Sequence, residues 1–220
     1  MPQHQKNKLL IAVDGPAASG KGTLARKLAA HFSIPYLDTG KLYRYVGYQI
    51  LKKKLDPESC RSGTALKQAV DIANKIRPED LNEKALNSEE SGRAASIISG
   101  IPEIRAALLE FQRNIAKSPA GAVLDGRDIG TVVCPEADFK LFITASLHAR
   151  AKRRYKELQS MGLSVIYPAV LEDLQARDER DELRKISPLV PAFGAIHIDT
   201  TDMDEAAVFE KALSIIMAAA

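Results

Sequence analysis

The clearest chemical signature lies in one short run, Gly15-Pro-Ala-Ala-Ser-Gly-Lys-Gly-Thr23. Its glycines let the backbone curl with successive N–H groups pointing inward, which makes an anion cradle. The apolar run Leu9–Val13 precedes it and a helical pattern, Lys21–Phe32, follows. A helix N-terminus therefore adds its dipole, and phosphate is the anion that this strand–loop–helix order suits. Gly15, Pro16, Ala17, Ala18, Ser19, Gly20, Lys21, Gly22 and Thr23 are thus candidate triphosphate-binding residues. Lys21 can bring a point charge to the β- and γ-phosphates. A strand-end acid should face such a loop to manage magnesium, which takes a carboxylate alongside waters and phosphate oxygens. Asp125, ending the apolar run Ala122–Leu124, is that acid, with Thr23 a second candidate. Asp14, just before the loop, reads as a turn residue.

Arginines outline a second site. Arg127 lies in Asp125-Gly-Arg-Asp128, at the C-terminal end of a strand, where ligands of parallel sheets bind. Arg44 follows Leu37-Asp-Thr-Gly40 by one helical turn. Arg177, Arg180 and Arg184 fall at i, i+3 and i+7 and share a helix face. On charge pattern alone, the interleaved Asp178, Glu179, Asp181 and Glu182 make that face an ordinary salt-bridged surface. A phosphate loop in the same chain favours a ligand clamp instead. Phosphoryl transfer between two phosphate-bearing substrates needs charge neutralised on both, and planar guanidinium does this best.

These groups need a scaffold. Short apolar strands at Leu9–Val13, Pro35–Leu37, Ala122–Leu124, Phe139–Ile143 and Ala195–Ile198 alternate with helical patterns. The helices are Lys21–Phe32, Lys41–Lys53, Pro102–Ala116, Leu147–Met161, Pro168–Arg184 and Asp204–Met217, the last with Thr201-Asp202 as its cap. Such alternation predicts an α/β fold with a doubly wound, five-stranded parallel sheet. The polar stretch from about Leu55 to Gly100 carries no strand pattern, is too long for a plain loop, and reads as a helical insertion. The Arg/Lys-rich stretch Ala151–Tyr167, broken at Met161-Gly162, reads as a mobile hairpin.

The 220 residues suit one domain, and a net charge of +3 gives no reason to expect a nucleic-acid partner. Cys60 and Cys134 sit in no metal-binding or disulfide pattern, which points to a reducing cytosol. The polar lead MPQHQKN has no signal-peptide character and no apolar run reaches the ~20 residues of a membrane span. A cytoplasmic protein is expected, with no membrane partner.

At this point the sequence resembles the bacterial cytidylate kinases. The resemblance runs nearly end to end, through GPAASGKGT, LDTGKLYR, AAS before IPEIRAALLEFQR, LDGRDIGTVVCPEAD, and ARDERDELR with SPLVPA. Gly22 between Lys21 and Thr23 gives the GKGT variant typical of nucleoside monophosphate kinases, and DGRDIGT differs from the usual adenylate kinase strand end. The resemblance implies a P-loop kinase that moves the γ-phosphate of ATP to CMP or dCMP, with Mg²⁺ as cofactor, working as a monomer. It implies catalytic roles for Lys21, Asp125, Arg127 and Arg184, and ATP contact by the loop and Arg154. Thr39 and Arg44 would meet the acceptor phosphate beside Arg127. Ser96, Arg105 and Asp128 would read the cytosine edge. Arg177 and Asp181 would hold the sugar, with Arg184 reaching the nucleotide from the same face. The core would be residues 1–54, 101–150 and 166–220, the monophosphate-binding insertion 55–100, and the lid 151–165. Three departures stand out: Thr39 where the family often has Ser, Lys41 where a small residue is usual, and a short segment at Leu81–Glu90 without the usual basic turn.

Two rival readings differ in class. A shikimate or dephospho-coenzyme A kinase would need fewer acceptor arginines and leaves the AAS, IPEIR and DGRD set unexplained. A nucleotide-gated RNA-binding module would need an aromatic-bearing basic surface, and no such pattern is visible.

Overall fold

Alternate residues of Leu9–Asp14 (β1) go to opposite faces of a sheet: Leu10 and Ala12 join one core, Ile11 and Val13 another. In this computed structural model, which describes residues 8–219, four further strands flank it. They are β2 (Tyr36–Asp38), β3 (Gly121–Gly126), β4 (Phe139–Thr144) and β5 (Ile196–Asp199). All pair in parallel, in the order β2-β3-β1-β4-β5. The polar lead at residues 1–7 lies outside the described residues.

Helices α1 (Lys21–Phe32) and α8 (Glu205–Ala219) pack on the Ile11/Val13 face. On the Leu10/Ala12 face lie α2 (Thr39–Lys52) and α5 (Pro102–Ala116). Both faces are thus covered, which is why the strands read as unbroken apolar runs. Between α2 and α5 the chain is helical throughout its ordered elements. Short 3₁₀ turns connect α3 (Gly63–Asn74) and α4 (Glu89–Ile98), and α4 packs on α2. Helices α6 (Leu147–Ser160) and α7 (Tyr167–Leu183) form a hairpin whose small core, Ala151, Leu158, Val170 and Leu174, also takes in Ala17 of the phosphate loop. No helix among the described residues is long and apolar enough to cross a membrane.

One local expectation is overturned. Thr201-Asp202 does not cap α8; Asp204 does, its Oδ1 accepting from the Ala207 N–H at 2.8 Å. Asp199 is the reason. Its Oδ1 accepts from both the backbone N–H and the hydroxyl of Thr201, at 2.8 and 2.6 Å. That turn keeps Thr201 out of a helical start.

Gly15 begins the loop at φ +152°, where a Cβ would stand 2.1 Å from the Ile143 carbonyl oxygen of β4. The two nearest atoms belong to the backbone of β4, which cannot swing aside as a side-chain tip would. Gly15→Ala is therefore expected to destabilise the protein by more than about 2 kcal/mol, read as a fall in the urea midpoint.

Candidate active site

Strand register brings three acids to the carboxyl edge of the sheet. Asp38 lies level with Asp125, and Asp14 with Gly126. This is the edge where parallel sheets bind ligands, at the point where connections diverge to either side. The acids nevertheless do different things. Asp14 spends both oxygens on backbone, accepting from the Ile129 and Gly130 N–H groups at 2.8 Å each. Burial pushes its carboxyl up to about 6 while those amides oppose the shift, so it is still mostly ionised at neutral pH. It braces the π-type turn Ile129–Val133 behind β3, a structural task.

Asp125 is buried, and its Oδ1 accepts the Tyr36 hydroxyl at 3.0 Å. Burial, then the neighbouring Asp38 charge, pushes its carboxyl up, and Lys21 pulls it back. Lys21 donates to the Pro16 carbonyl at 3.2 Å. Burial, then the Arg127 charge, pushes its ammonium down, against the pull of Asp125. An arriving phosphate would relieve Lys21 of this position among buried groups. Asp125 and Thr23 both line the cavity between the loop and β3, and this all-oxygen donor set suits a hard cation that keeps most of its water.

Three of the loop's carbonyls are met by side-chain donors. Pro16 O is met by Lys21, Ala17 O by Arg150 at 3.2 Å, and Ser19 O by the Thr200 hydroxyl at 3.0 Å. Ala18 sits at φ 57°, in the left-handed region.

Lys21, Arg44, Arg127 and Arg177 are among the cations that line this cavity of about 260 Å³. The Arg177 Nε is buried with no hydrogen-bond partner among the described residues. Burial, then the Arg127 charge, brings its guanidinium down to about 9, so it stays protonated at neutral pH. Arg44 is lowered as well, chiefly by burial, with Arg154 and Arg127 adding to it. Its Nη1 donates to the carbonyls of Leu86 and Ser88, at 3.0 and 3.3 Å. Arg127 pairs with Asp181 of α7, Nε to Oδ2 at 2.7 Å. Against the effect of burial, Arg127 and Arg177 hold the Asp181 carboxyl below its usual range. Thr39 donates to the Asp125 carbonyl at 2.8 Å.

A smaller cavity of about 50 Å³ adjoins it, sharing Arg127 and Arg177 and reaching Ser96, Arg105, Asp128 and Arg184. Arg105 and Asp128 are buried and paired with each other. Arg105 also donates to the Ser99 carbonyl at 3.0 Å and lies over the Tyr43 ring. Arg184 donates to the Ser99 hydroxyl at 3.1 Å, while its other terminal nitrogen finds no hydrogen-bond partner among the described residues. The Ser96 hydroxyl accepts from Arg180 at 3.1 Å. On the far side of the loop a third cavity, about 540 Å³, is lined by Ala18, Gly20, Thr23, Arg153, Met203 and Val208. Arg154 stands between this cavity and the central one, held by Glu89 of α4 and by Glu157.

The structure thus gathers the loop, Asp125, Thr39, Arg44, Arg127, Arg177, Asp181, Ser96, Arg105, Asp128 and Arg184 along one continuous cleft. Arg180, expected on the clamp face of α7, also lines it, as do Arg26, Asp38, Glu89, Arg93 and Asp173, to which the sequence gave no site role. Asp38 carried a signal, lying inside Leu37-Asp-Thr-Gly40 next to Thr39. The others sit on helix faces that look like ordinary charged surface.

Residues 11–218 match the family model described as cytidylate kinase. The chain is 53% identical over 210 residues to a cytidylate kinase of Paramagnetospirillum magneticum, covering 94% of this chain and 97% of that one. It is 50% identical over 211 residues to a cytidylate kinase of Methylocella silvestris, covering 96% and 95%. A crystal structure from Eubacterium ventriosum shares the fold at a TM-score of 0.56 and 15% identity, covering 96% of this chain and 99% of that one. The matched span takes in the phosphate loop, all three strand-end acids and the arginine helix, at about half identity and almost full length, and on that ground the chain belongs to the cytidylate kinase family.

Proposed function

We propose that the chain transfers the γ-phosphate of ATP to CMP or dCMP, giving ADP and CDP or dCDP. The observation that carries this reading is the buried cation cluster, Lys21, Arg44, Arg127 and Arg177, between the loop and the Arg105–Asp128 pair. Lys21, Arg44 and Arg177 have their ionisation depressed by burial and by neighbouring cations, which calls for anionic ligands, and phosphoryl groups on two substrates supply them.

In this reading the triphosphate lies along Gly15–Thr23 with its nucleoside in the cavity beyond the loop, where Arg154 meets it once freed from Glu89. The acceptor phosphate lies among Thr39, Arg44, Arg127 and Arg177. It is already ionised, so the chain needs no strong base; it aligns an acceptor oxygen with the γ-phosphorus and spreads positive charge over the group in transit. Lys21 and Arg127 serve the transferring group, and Arg184 braces the acceptor end. Asp125 and Thr23 would hold magnesium, through water and phosphate oxygens, and bound magnesium supplies charge neutralisation on the β- and γ-oxygens. The base would part Arg105 from Asp128, taking an N–H donor to ring N3 and an acceptor for its amine, with Ser96 at its edge. Arg177 and Asp181 would hold the sugar. Residues 55–100 would close over the monophosphate and 151–165 over ATP, excluding water that would otherwise take the phosphate.

The chain is taken to work as a monomer in this reading, and the free buried cysteines suit a reducing cytoplasm.

The test is ADP release in a coupled assay across the ribo- and deoxyribonucleoside monophosphates. Uracil reverses the donor and acceptor that Asp128 and Arg105 would meet, and each unpaired buried group costs about 1–3 kcal/mol. CMP and dCMP should agree within about tenfold in kcat/KM, and CMP should exceed UMP by at least about tenfold. Failure of CMP and dCMP to raise ADP release above the ATP-only background would overturn the function. Equal use of CMP and UMP would overturn the base-reading scheme alone.

A further inference from the structure

We propose that Arg150 and Asp178 form a positioning pair that locks the phosphate loop to the acceptor-side helix α7, so that both substrate sites depend on a contact neither substrate touches. The inference rests on the kinase reading above.

A loop that turns its N–H groups inward must turn carbonyls outward, and a buried outward carbonyl needs a donor. At the loop apex Ala17 is buried in the α6/α7 core, and its carbonyl is met by Arg150 Nη1 at 3.2 Å. The next residue, Ala18, holds a left-handed φ of 57° without being glycine, a conformation that its surroundings must enforce. Arg150, on α6, is only 6% exposed. Its Nε donates to the Ala145 carbonyl just past β4, at 2.9 Å, and its two terminal nitrogens grip both oxygens of Asp178, at 3.0 and 2.6 Å. One rigid guanidinium therefore joins the end of β4, the loop apex and α7, a fork geometry that an ammonium group does not reproduce.

Asp178 gives this contact its reach. It precedes Asp181 by one turn of α7 and follows Arg177 directly. Asp181 is pinned to Arg127 at the end of β3, so α7 is held from two sides, by Arg150 and by Arg127. Apolar contacts of Val170 and Leu174 with Ala17 bring the helix close, but they are non-directional and tolerate rotation. The two ion pairs fix that rotation, and with it the direction of Arg177, whose Nε has no described protein partner to hold it. Arg150 and Asp178 line neither the central nor the acceptor cavity, so their effect must run through Ala17 and α7.

The experiment compares Arg150→Lys, Asp178→Asn and the double variant with wild type. Three quantities are measured: melting temperature, affinity for a non-hydrolysable ATP analogue by calorimetry, and KM for CMP. Each single variant should weaken the analogue and raise KM for CMP by about tenfold or more. The double variant should be no worse than the poorer single, because the two side chains make one contact. Unchanged affinity and KM with only a lower melting temperature would overturn the proposal in favour of a purely structural pair. Effects that multiply in the double variant would overturn it too, since the residues would then act separately. Should Asp178→Asn not fold, Asp178→Glu keeps the charge and displaces the carboxylate by one methylene, and unchanged binding there would equally overturn it. A wild type that does not phosphorylate CMP would sink the kinase reading, while the analogue affinity of the Asp178 variant would still decide this one.

Discussion

Lys21→Ala should lower kcat/KM for ATP by at least about 10²–10³-fold while the protein keeps its fold. Removing one preorganised charge from a buried transfer site costs that much in comparable chemistry. Its single described side-chain hydrogen bond is to the Pro16 carbonyl. It sits beside Arg127 in a buried space where positive charge is already crowded, so its loss relieves repulsion in the ligand-free protein. The melting temperature without nucleotide should therefore be unchanged or higher, while the rise on adding ATP should shrink. A variant with near-normal turnover and the full ATP-induced rise would remove Lys21 from the phosphate site.

The contrast between what spacing revealed and what it concealed is sharpest around these cations. The strands were legible because both sheet faces are covered, so that Leu9–Asp14 and Phe139–Thr144 had to be apolar almost throughout. The loop was legible because glycine, lysine and threonine at fixed offsets between a strand and a helix answer to one ligand chemistry. The break between α6 and α7 was legible at Gly162, which takes φ 78°. Partners were not. One-turn spacing put Arg177 beside Asp181, whereas the side chain that Asp181 grips is Arg127, 54 residues away. Arg105 and Asp128, both assigned to the base, are bound to each other. Nothing in the sequence announces that Arg44 holds the carbonyls of Leu86 and Ser88.

The basic run on α6 makes the same point. Arg150, Arg153 and Arg154 look alike in the sequence, and the lid reading singled out Arg154. Helical geometry sends them to different neighbours. Arg150 goes to Ala17 and Asp178, Arg153 to Thr200 under the loop, and Arg154 to Glu89 across the cleft. Periodicity fixes the face a residue occupies; the partner opposite that face is a tertiary fact.

Asp181→Asn separates the two halves of the cleft. The carboxylate is buried, bonded to Arg127 and flanked by Arg177, so the amide leaves two buried cations short of a counter-charge. Breaking one side of a buried pair typically costs about 3–5 kcal/mol, and the melting temperature should fall accordingly. The sign with pH follows from the depressed carboxyl. A group whose ionisation is lowered in the folded state contributes above its unfolded range and loses that contribution as pH falls through its folded value. The gap in melting temperature between wild type and variant should thus be full at neutral pH and narrow as the pH falls below the ordinary carboxylate range. For activity, Arg127 loses the partner that aims it at the acceptor, and Arg177 loses a neighbouring counter-charge. The kcat/KM for CMP and for dCMP should drop by about 10²-fold or more, and by similar factors, because a grip on the sugar that ignores the 2′-hydroxyl serves both. ATP-analogue affinity should stay within about threefold, since Asp181 touches neither the loop nor Arg150. That is the opposite of the expectation for Asp178, one turn earlier on the same helix. Full activity on both nucleotides in Asp181→Asn would return this face of α7 to the plain salt-bridged surface that its charge pattern first suggested.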